Sequence, residues 1–269
     1  RECLDAVKIR DVQKEKTQKA LIGIRMKILV TNDDGVTAPG LLGLVQAARQ
    51  VPGAEVSVLA PNHNWSACGH VKTMSKPLRV WETRLEDGST AWTSDGAPSD
   101  CVAMAIMGAL ETKFDLVLSG INPNANVGLD VTYSGTVTAA MEGAINGIPG
   151  FAVSLDAPEY HKGALEYKAA AEKACEIAVK LFEAWDFKLP VPIWNINLPY
   201  RPDGNYQGIK FTRQGVRLYH DVLEKRLDPR NKPYYWIGGD PPTGVIEEGT
   251  DYGAIKQGYI SLTPLQMNM

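Results

Sequence analysis

The sequence predicts an α/β protein in which helices cover both faces of a mostly parallel β-sheet. Between residues 27 and 198, apolar runs of strand length alternate with segments whose apolar residues recur at helical spacing. This alternation is typical of parallel strands joined by helices. The 269 residues are 44% hydrophobic and 22% charged, which is the balance of a folded globular protein and excludes intrinsic disorder.

Each predicted strand is an apolar run that ends in turn residues, and each predicted helix carries apolar residues every three or four positions. Ser99 is predicted to be a helix N-cap, because a serine hydroxyl accepts hydrogen bonds from the amides of the first turn. In chain order, the predicted elements are a strand at 27–32, a helix at 40–51, strands at 55–60, 78–82 and 90–93, a helix at 99–110, a strand at 115–119, a helix at 136–145, a strand at 151–155, a helix at 164–185 and a strand at 191–198.

The pattern changes after Pro199. Strand-like segments at 209–213 and 234–237 are separated by charged and Pro/Gly-rich stretches, and we interpret both as hairpins that project from the main body. The consecutive aromatic residues at 234–236 favour a contact between subunits. The alternative, that these aromatics pack back onto their own sheet, stays open.

The chain divides into three parts. Residues 1–25 are expected to lie outside the core, because Met26 stands directly before the first convincing strand, although a weak helix there stays open. The main domain is predicted at 26–200, and residues 201–269 are predicted to add the hairpin and a closing helix and strand.

Charge and cysteine content limit the kinds of binding partner and the cellular compartment that we expect. Lys and Arg number 28 against 31 Asp and Glu, a net charge of −3, so no nucleic acid or membrane partner is expected. The longest apolar run, 102–110, is far shorter than the ~20 residues of a membrane-spanning helix. The four cysteines are widely spaced without a C-x-x-C pair. Together with the absence of a signal peptide pattern in residues 1–19, this predicts reduced thiols and a cytoplasmic protein.

The predicted chemistry begins at the carboxyl end of the first strand. In a parallel sheet, ligands bind beyond the carboxyl ends of the strands. Asp33 and Asp34 stand there, followed by Gly35, which permits a sharp turn. Two adjacent carboxylates repel unless a cation or a proton lies between them, and their hard oxygens favour Mg²⁺, Mn²⁺ or Ca²⁺. The alternative is that the pair only caps the next helix or forms an Asx-turn.

Other strand ends supply neutral oxygens and a phosphate site. A polar loop at 62–67 follows the second strand, and a loop rich in asparagine follows residue 119. Ser134, Gly135 and Thr136 open a helix, and free amides at the positive end of a helix dipole form a good anion site. The alternative is simple N-capping by Ser134 or Thr136. A divalent ion that faces a phosphate site predicts hydrolysis of phosphate monoesters.

Competing templates do not fit. The chain has no G-x-S-x-G, no G-x-x-x-x-G-K-[ST] and no G-x-G-x-x-G. A phosphoacceptor receiver domain is about half as long and needs a third Asp and a Lys at later strand ends. A covalent aspartyl phosphatase needs Asp-x-Asp, where this chain has Asp-Asp-Gly.

Seven segments, in order from Met26 almost to the C-terminus, give the chain a close resemblance to the stationary-phase survival protein family (SurE), which are metal-dependent 5′-nucleotidases. The resemblance leaves out residues 1–25. The segments are MKILVTNDDG (26–35), GAPSDCV (96–102), LVLSGIN (116–122), YSGTVTAAMEGA (133–144), NINLP (195–199), YYWIGG (234–239) and TDYGAIKQGYISLTPL (250–265).

The resemblance implies a Rossmann-like domain with a C-terminal hairpin that exchanges between subunits of a homodimer or homotetramer. It implies one divalent ion per subunit, Mg²⁺ or Mn²⁺, and hydrolysis of nucleoside 5′-monophosphates, with 3′-monophosphates as further candidates. The implied metal ligands are Asp33, Asp34, Ser66 and Asn122; the implied phosphate-side residues are Asn126, Ser134, Gly135 and Thr136; and the implied catalytic residues are Asp33, Asp34 and Asn126.

This sequence departs from the family pattern at two places. The loop before Ser66 reads Asn-His-Asn-Trp at 62–65, where the family commonly carries Asp and Arg, and Asn124 replaces the usual Gly. Trp65 is predicted either to stack on a nucleobase or to pack locally. His63 and His70 either contact phosphate or are solvated. Because of the altered loop, a nucleotide or phosphate sensor without turnover is the alternative function.

Overall fold

The described part of the chain, residues 25–187 and 190–266 of a computed structural model, forms one large sheet and one separate hairpin. The sheet strands are β1 Met26–Thr31, β2 Ala54–Pro61, β3 Val80–Arg84, β4 Thr90–Ser94, β5 Leu116–Asn122, β6 Gly150–Asp156, β7 Ile193–Pro199, β8 Ile209–Phe211 and β11 Ile260–Leu265, and the hairpin strands are β9 Arg217–Leu227 and β10 Pro233–Gly244.

The strand order of the large sheet is β3-β4-β2-β1-β5-β6-β7-β11-β8. The run from β4 to β7 is parallel, while β3 and β11 pair antiparallel with β4 and β7. The predicted mostly parallel sheet is confirmed. Because β1, β2 and β5 are parallel neighbours, their carboxyl ends meet at one edge, which is where the predicted site residues follow each strand.

Helices cover both faces of the sheet. Ile28 and Val30 of β1 pack in a core cluster with α1 and α4, while Leu29 faces a second cluster with α2 and α3, as expected of a strand buried on both faces. The helices are α1 Pro39–Arg49, α2 Pro98–Met104, α3 Gly135–Ile145, α4 Lys168–Ala184 and α5 Asp251–Lys256, with a π-helical turn at Ala105–Ala109 and a 3-10 turn at Gly128–Thr132.

The predicted N-cap at Ser99 is wrong. The N-cap of α2 is Ala97, and Pro98 occupies the first turn. The amide of Ala97 donates to the Asp100 carboxylate at 3.0 Å, so an acidic side chain of the first turn takes over the role expected of the serine. The Ser99 hydroxyl instead donates to the backbone oxygen of Val71.

Two further expectations need correction. The segment predicted as a hairpin at 209–213 contains β8, which pairs in parallel with β11 at the edge of the main sheet. The helix predicted at 164–185 begins only at Lys168. The predicted extension at 1–25 lies, apart from Arg25, outside the described residues.

The hairpin of β9 and β10 confirms the prediction for 234–237. Its side chains point mostly into solvent, and Tyr235, Trp236 and Ile237 are 53%, 61% and 79% exposed. The alternative that these aromatics pack back onto the main sheet is therefore wrong. Within the described residues, Cys68, Cys101 and Cys175 are free thiols, as expected.

Candidate functional site

The loop after β2 folds against the acidic pair that follows β1. The amide of Trp65 donates to the backbone oxygen of Asp33 at 2.7 Å. Asn64 Nδ2 donates to Asp34 Oδ1 at 3.2 Å, and Asn64 Oδ1 accepts from the amide of Ser66 at 2.7 Å. Asn64 therefore joins Asp34 to Ser66, and this places three of the predicted metal ligands side by side.

The acidic pair does not cap the next helix. The N-cap of α1 is Ala38, without a side-chain hydrogen bond, so the capping alternative for Asp33 and Asp34 is wrong. The turn is closed instead by Asn32, whose side chain bonds both the amide and the carbonyl of Gly35. Gly35 has a φ of +103°, which a residue with a Cβ rarely adopts. Both acidic side chains are thereby left for other partners.

Helix α3 meets Asp33 at its first turn. Thr136 Oγ1 donates to Asp33 Oδ1 at 2.5 Å, and both residues are buried. A Cβ added to Gly135 would lie 2.7 Å from the Cβ of Asp33, so only glycine allows this approach. Ser134 caps the helix by accepting from the amide of Val137 at 3.1 Å, and this confirms the capping alternative for Ser134. Gly135 and Thr136, two of the four residues predicted on the phosphate side, thus lie beside Asp33.

Asn122 ends β5, the neighbour of β1 in the sheet. Its Nδ2 donates to the backbone oxygen of Asn124 at 2.5 Å. This bond does not use the side-chain oxygen Oδ1, which is the atom that could bind a metal.

Asn126 is buried and fixed by strands β6 and β7. Its amide donates to Asn197 Oδ1 at 2.8 Å, and its Nδ2 donates to Ser154 Oγ at 2.8 Å. Its carbonyl oxygen accepts from Asn195 Nδ2 at 2.7 Å. Since Nδ2 carries two hydrogens, one remains beyond the bond to Ser154. Sequence reasoning missed Ser154, Asn195 and Asn197; the signal was polar residues inside strands predicted to be buried.

The environment of the acidic pair disfavours negative charge on both carboxylates. Burial raises the pKa of Asp33, against the bond from Thr136, which lowers it. Burial and then the charge of Asp33 raise the pKa of Asp34 to about 6. Within the described residues, the ion pairs include neither carboxylate. A bound cation would relieve this charge.

The donor set fits a hard divalent ion. In the part of the chain that the structure describes, no three His, Cys, Asp or Glu side chains group into a metal site. Two carboxylates with the hydroxyl of Ser66 and the amide oxygen of Asn122 are the oxygen donors that Mg²⁺ and Mn²⁺ accept. The residues present therefore fit the metal that the sequence predicts.

The nearby rings and histidines are held by local contacts. The rings of His63 and Trp65 lie 5.1 Å apart between centroids, so Trp65 does pack locally. His70 Nε2 lies 3.0 Å from Oε2 of Glu142, a buried residue of α3, so His70 is paired, where sequence reasoning expected solvent or phosphate. Burial and the charge of Asp33 raise the pKa of Cys68 to about 11, so the reactive thiolate form is disfavoured near neutral pH.

The chain matches a known protein family and individual members of it. A family model described as Survival protein SurE matches residues 28–221. A protein named 5′-nucleotidase SurE from Chloroflexus aggregans is 48% identical over 244 residues, which cover 91% of this chain and 94% of that protein. The protein of the same name from Herpetosiphon aurantiacus is 47% identical over 245 residues, which cover 91% and 93%.

A solved structure shows the same fold. The crystal structure of the Sure protein from Aquifex aeolicus aligns with a TM-score of 0.73 and 38% sequence identity, over 90% of this chain and 94% of that chain. Within the described residues, none of the helices has the length and apolar character needed to span a bilayer. The family match covers well over half of the chain, and this chain belongs to the survival protein SurE family.

Proposed function

We propose that this chain is a divalent-metal-dependent 5′-nucleotidase that hydrolyses nucleoside 5′-monophosphates to nucleoside and phosphate. The observation that carries the proposal is the Asp33–Asp34 carboxylate pair at the carboxyl end of β1, beside the start of helix α3; Asp33 is buried, and among the described residues no ion pair includes either carboxylate. The relatives named 5′-nucleotidase SurE, at 47% and 48% identity, support the substrate class.

The proposed metal ligands are Asp33, Asp34, Ser66 and Asn122, with Mg²⁺ or Mn²⁺ as the ion. A bound ion would supply Lewis acidity for the hydrolysis of a phosphate ester. Hydrogen bonds support this set: Thr136 donates to one oxygen of Asp33, and Asn64 connects Asp34 with the backbone of Ser66.

The proposed phosphate side is formed by Asn126 and the Ser134–Thr136 turn. The second hydrogen of Asn126 Nδ2 is a donor that its bond to Ser154 leaves over. The positive end of the α3 dipole lies at the same turn. Fixed donors and dipoles of this kind stabilise charge that develops on the phosphoryl oxygens in the transition state.

Assembly of two or four copies through the hairpin is part of the proposal. The exposed aromatic and aliphatic side chains of β9 and β10 form an apolar surface, which in a monomer is unusual. Such a surface fits burial against a second copy of the chain better than contact with water.

The direct test measures phosphate release from AMP with Mg²⁺, with Mn²⁺ and with excess chelator. A panel with GMP, CMP and 3′-AMP then ranks the base and the position of the phosphate. We expect release with either ion and loss of at least ~100-fold of the activity in chelator, since the ion is the principal electrostatic catalyst. Full turnover in chelator would exclude this mechanism. Calorimetric binding of AMP without phosphate release would favour the sensor instead.

A further inference from the structure

Asp130 connects the predicted phosphate-side turn with the hairpin. It lies in the 3-10 turn Gly128–Thr132, shortly before helix α3. Its backbone oxygen accepts from the amide of Tyr133 at 3.0 Å and from the amide of Ser134 at 3.1 Å. The position of Ser134, the N-cap of α3, therefore depends on the position of Asp130.

The carboxylate of Asp130 holds two side chains of strand β9. Arg217 Nε donates to Oδ2 at 2.8 Å, and the Tyr219 hydroxyl donates to Oδ1 at 2.7 Å. The Arg217 and Asp130 side chains are only 12% and 15% exposed, so this charged bond is better shielded than an ordinary surface ion pair. We refer to Asp130, Arg217 and Tyr219 as the Asp130 latch.

Arg217 also joins the two strands of the hairpin. Its Nη1 donates to the backbone oxygens of Pro242 at 3.2 Å and Thr243 at 3.4 Å, next to the register shift between Asp240 and Thr243. One guanidinium thus binds both β9 and β10 to Asp130. In the part of the chain that the structure describes, hydrogen bonds from the hairpin strands to the rest of the molecule end on Asp130.

A second set of bonds ties the same turn to the segment just before β9 and to Asp251, the first residue of α5. The amide of Gly128 donates to Asp251 Oδ2 at 2.8 Å, and its carbonyl accepts from Gln214 Nε2 at 2.8 Å. A Cβ on Gly128 would lie 2.5 Å from the backbone oxygen of Gly215. The turn and the hairpin base are therefore in direct contact, and a shift of one displaces the other.

We propose that the Asp130 latch is a positioning device, through which the seating of the hairpin sets the geometry of the phosphate-side turn at Ser134–Thr136. This inference rests on the proposed function for the identity of the reaction. We assign the latch residues no contact with the substrate; they act through the backbone oxygen of Asp130. A change in how the hairpin contacts another copy then reaches the reaction centre along this path.

The test replaces Arg217 by Met, which removes the guanidinium and keeps an unbranched stem. Arg49→Met is the matched control, because Arg49 of α1 pairs with Asp87 at 3.4 Å on the main body, at a partly exposed site outside the hairpin. Tyr219→Phe removes a single hydroxyl from the latch, and Arg217→Lys restores the charge. Each full-length variant is measured for thermal unfolding, mass in solution, kcat and KM for AMP with Mg²⁺, and the dissociation constant of inorganic phosphate.

We expect Arg217→Met to lower kcat by ~10- to 100-fold, because small misplacements of positioning groups have effects of this size, and to weaken phosphate binding by about tenfold. Tyr219→Phe should act in the same direction with a smaller effect, Arg217→Lys should recover part of kcat, and Arg49→Met should match the wild type. If Arg217→Met does not fold, the kcat and the phosphate affinity of Tyr219→Phe test the inference instead.

A folded latch variant with wild-type kcat and phosphate affinity overturns the inference, even if its unfolding temperature or mass has changed. The phosphate measurement separates this inference from the proposed function. If the wild type releases no phosphate from AMP, the proposed function fails, while weaker phosphate binding by Arg217→Met still supports the latch. A wild-type chain that binds no inorganic phosphate overturns the latch as well.

Discussion

The hydroxyl of Thr136 donates a hydrogen bond to Oδ1 of Asp33 at 2.5 Å, across 103 positions of the chain. The helix that begins at Gly135 thus directs its first turn at the side chain that follows β1. A carboxylate at a helix N-terminus is stabilised by the dipole and by nearby amides, and the amides of Thr136 and Gly135 do lower the pKa of Asp33 against the effect of burial. The first turn of α3 therefore favours the charged form of Asp33, in opposition to burial.

Removing the hydroxyl of Thr136 should weaken metal binding. Thr136→Val keeps the shape and leaves the buried Asp33 carboxylate without this donor, so we expect a 10- to 100-fold higher dissociation constant for Mn²⁺, the usual range for a residue that orients a metal ligand. Calorimetry on the purified variant gives the value. Thr136→Ser retains the donor and should bind within about threefold of the wild type. Equal affinity in Thr136→Val would show that the bond does not orient Asp33.

Adding a methyl group at Gly135 should disturb the same contact. In Gly135→Ala the new Cβ would lie 2.7 Å from the Cβ of Asp33 and 3.0 Å from its Oδ2. We expect a loss of about 1–3 kcal/mol in the free energy of unfolding, as for other overpacked sites, together with weaker Mn²⁺ binding. Gly238→Ala is the control, because nothing lies within 4 Å of its added Cβ. Matching denaturant curves for both variants would contradict the close approach.

A divalent ion should stabilise the folded chain. The ion binds the native Asp33–Asp34 pair and relieves its repulsion, so Mn²⁺ at about 100 times its dissociation constant should add roughly 2.7 kcal/mol to the free energy of unfolding. Thermal unfolding with and without Mn²⁺ measures the shift. Asp33→Asn should abolish it, whereas Asp87→Asn, in the exposed turn between β3 and β4, should retain it. An equal shift in Asp33→Asn would place the ion elsewhere.

A charge on the hairpin should reduce assembly without unfolding the protein. Trp236 is 61% exposed on β10, and Trp236→Glu would place a carboxylate in an apolar contact between copies, where a buried unpaired charge is strongly unfavourable. We expect a lower mass by light scattering and an unchanged circular dichroism spectrum. Met107→Glu changes a residue that is 69% exposed on the main body and should keep the wild-type mass. Assembly that survives Trp236→Glu would remove the hairpin from the interface.

Cys68 should alkylate slowly near neutral pH. Burial and the negative charge of Asp33 both disfavour its thiolate and raise its pKa to about 11. Below this pKa the thiolate fraction grows about tenfold per pH unit, so the rate with iodoacetamide should still rise steeply between pH 8 and pH 10. Mass spectrometry of the peptide that contains Cys68 follows the reaction. A rate that levels off near pH 8.5, the behaviour of an unperturbed thiol, would contradict this.

Local patterns predicted the sheet and the strand ends well, because burial on both faces of β1 and β5 leaves a clear apolar signal. The same patterns failed at Ser99. The carboxylate of Asp100, one residue later, accepts from the amide of Ala97, and Ala97 is the N-cap of the helix. They also failed at 209–213, since three residues of an edge strand look like part of a hairpin.

The individual site residues could be predicted from their chemistry and from the family resemblance, but the contacts between them could not. The Thr136–Asp33 bond and the Asp130–Arg217 bond join positions 103 and 87 residues apart, and no periodicity in one sequence reports such pairs. The role of Asn197 was equally hidden, because a polar residue in a buried strand indicates a partner without naming it.

The placement of β1 has a consequence for how the protein opens. β1 lies in the interior of the sheet, hydrogen-bonded to strands on both sides, and Leu29 and Val30 are fully buried. Backbone amides in such a strand exchange with deuterium only when the whole fold comes apart. Asp33 and Asp34, which follow β1, are therefore attached to the part of the fold that unfolds last, while the hairpin can unfold and refold locally many times.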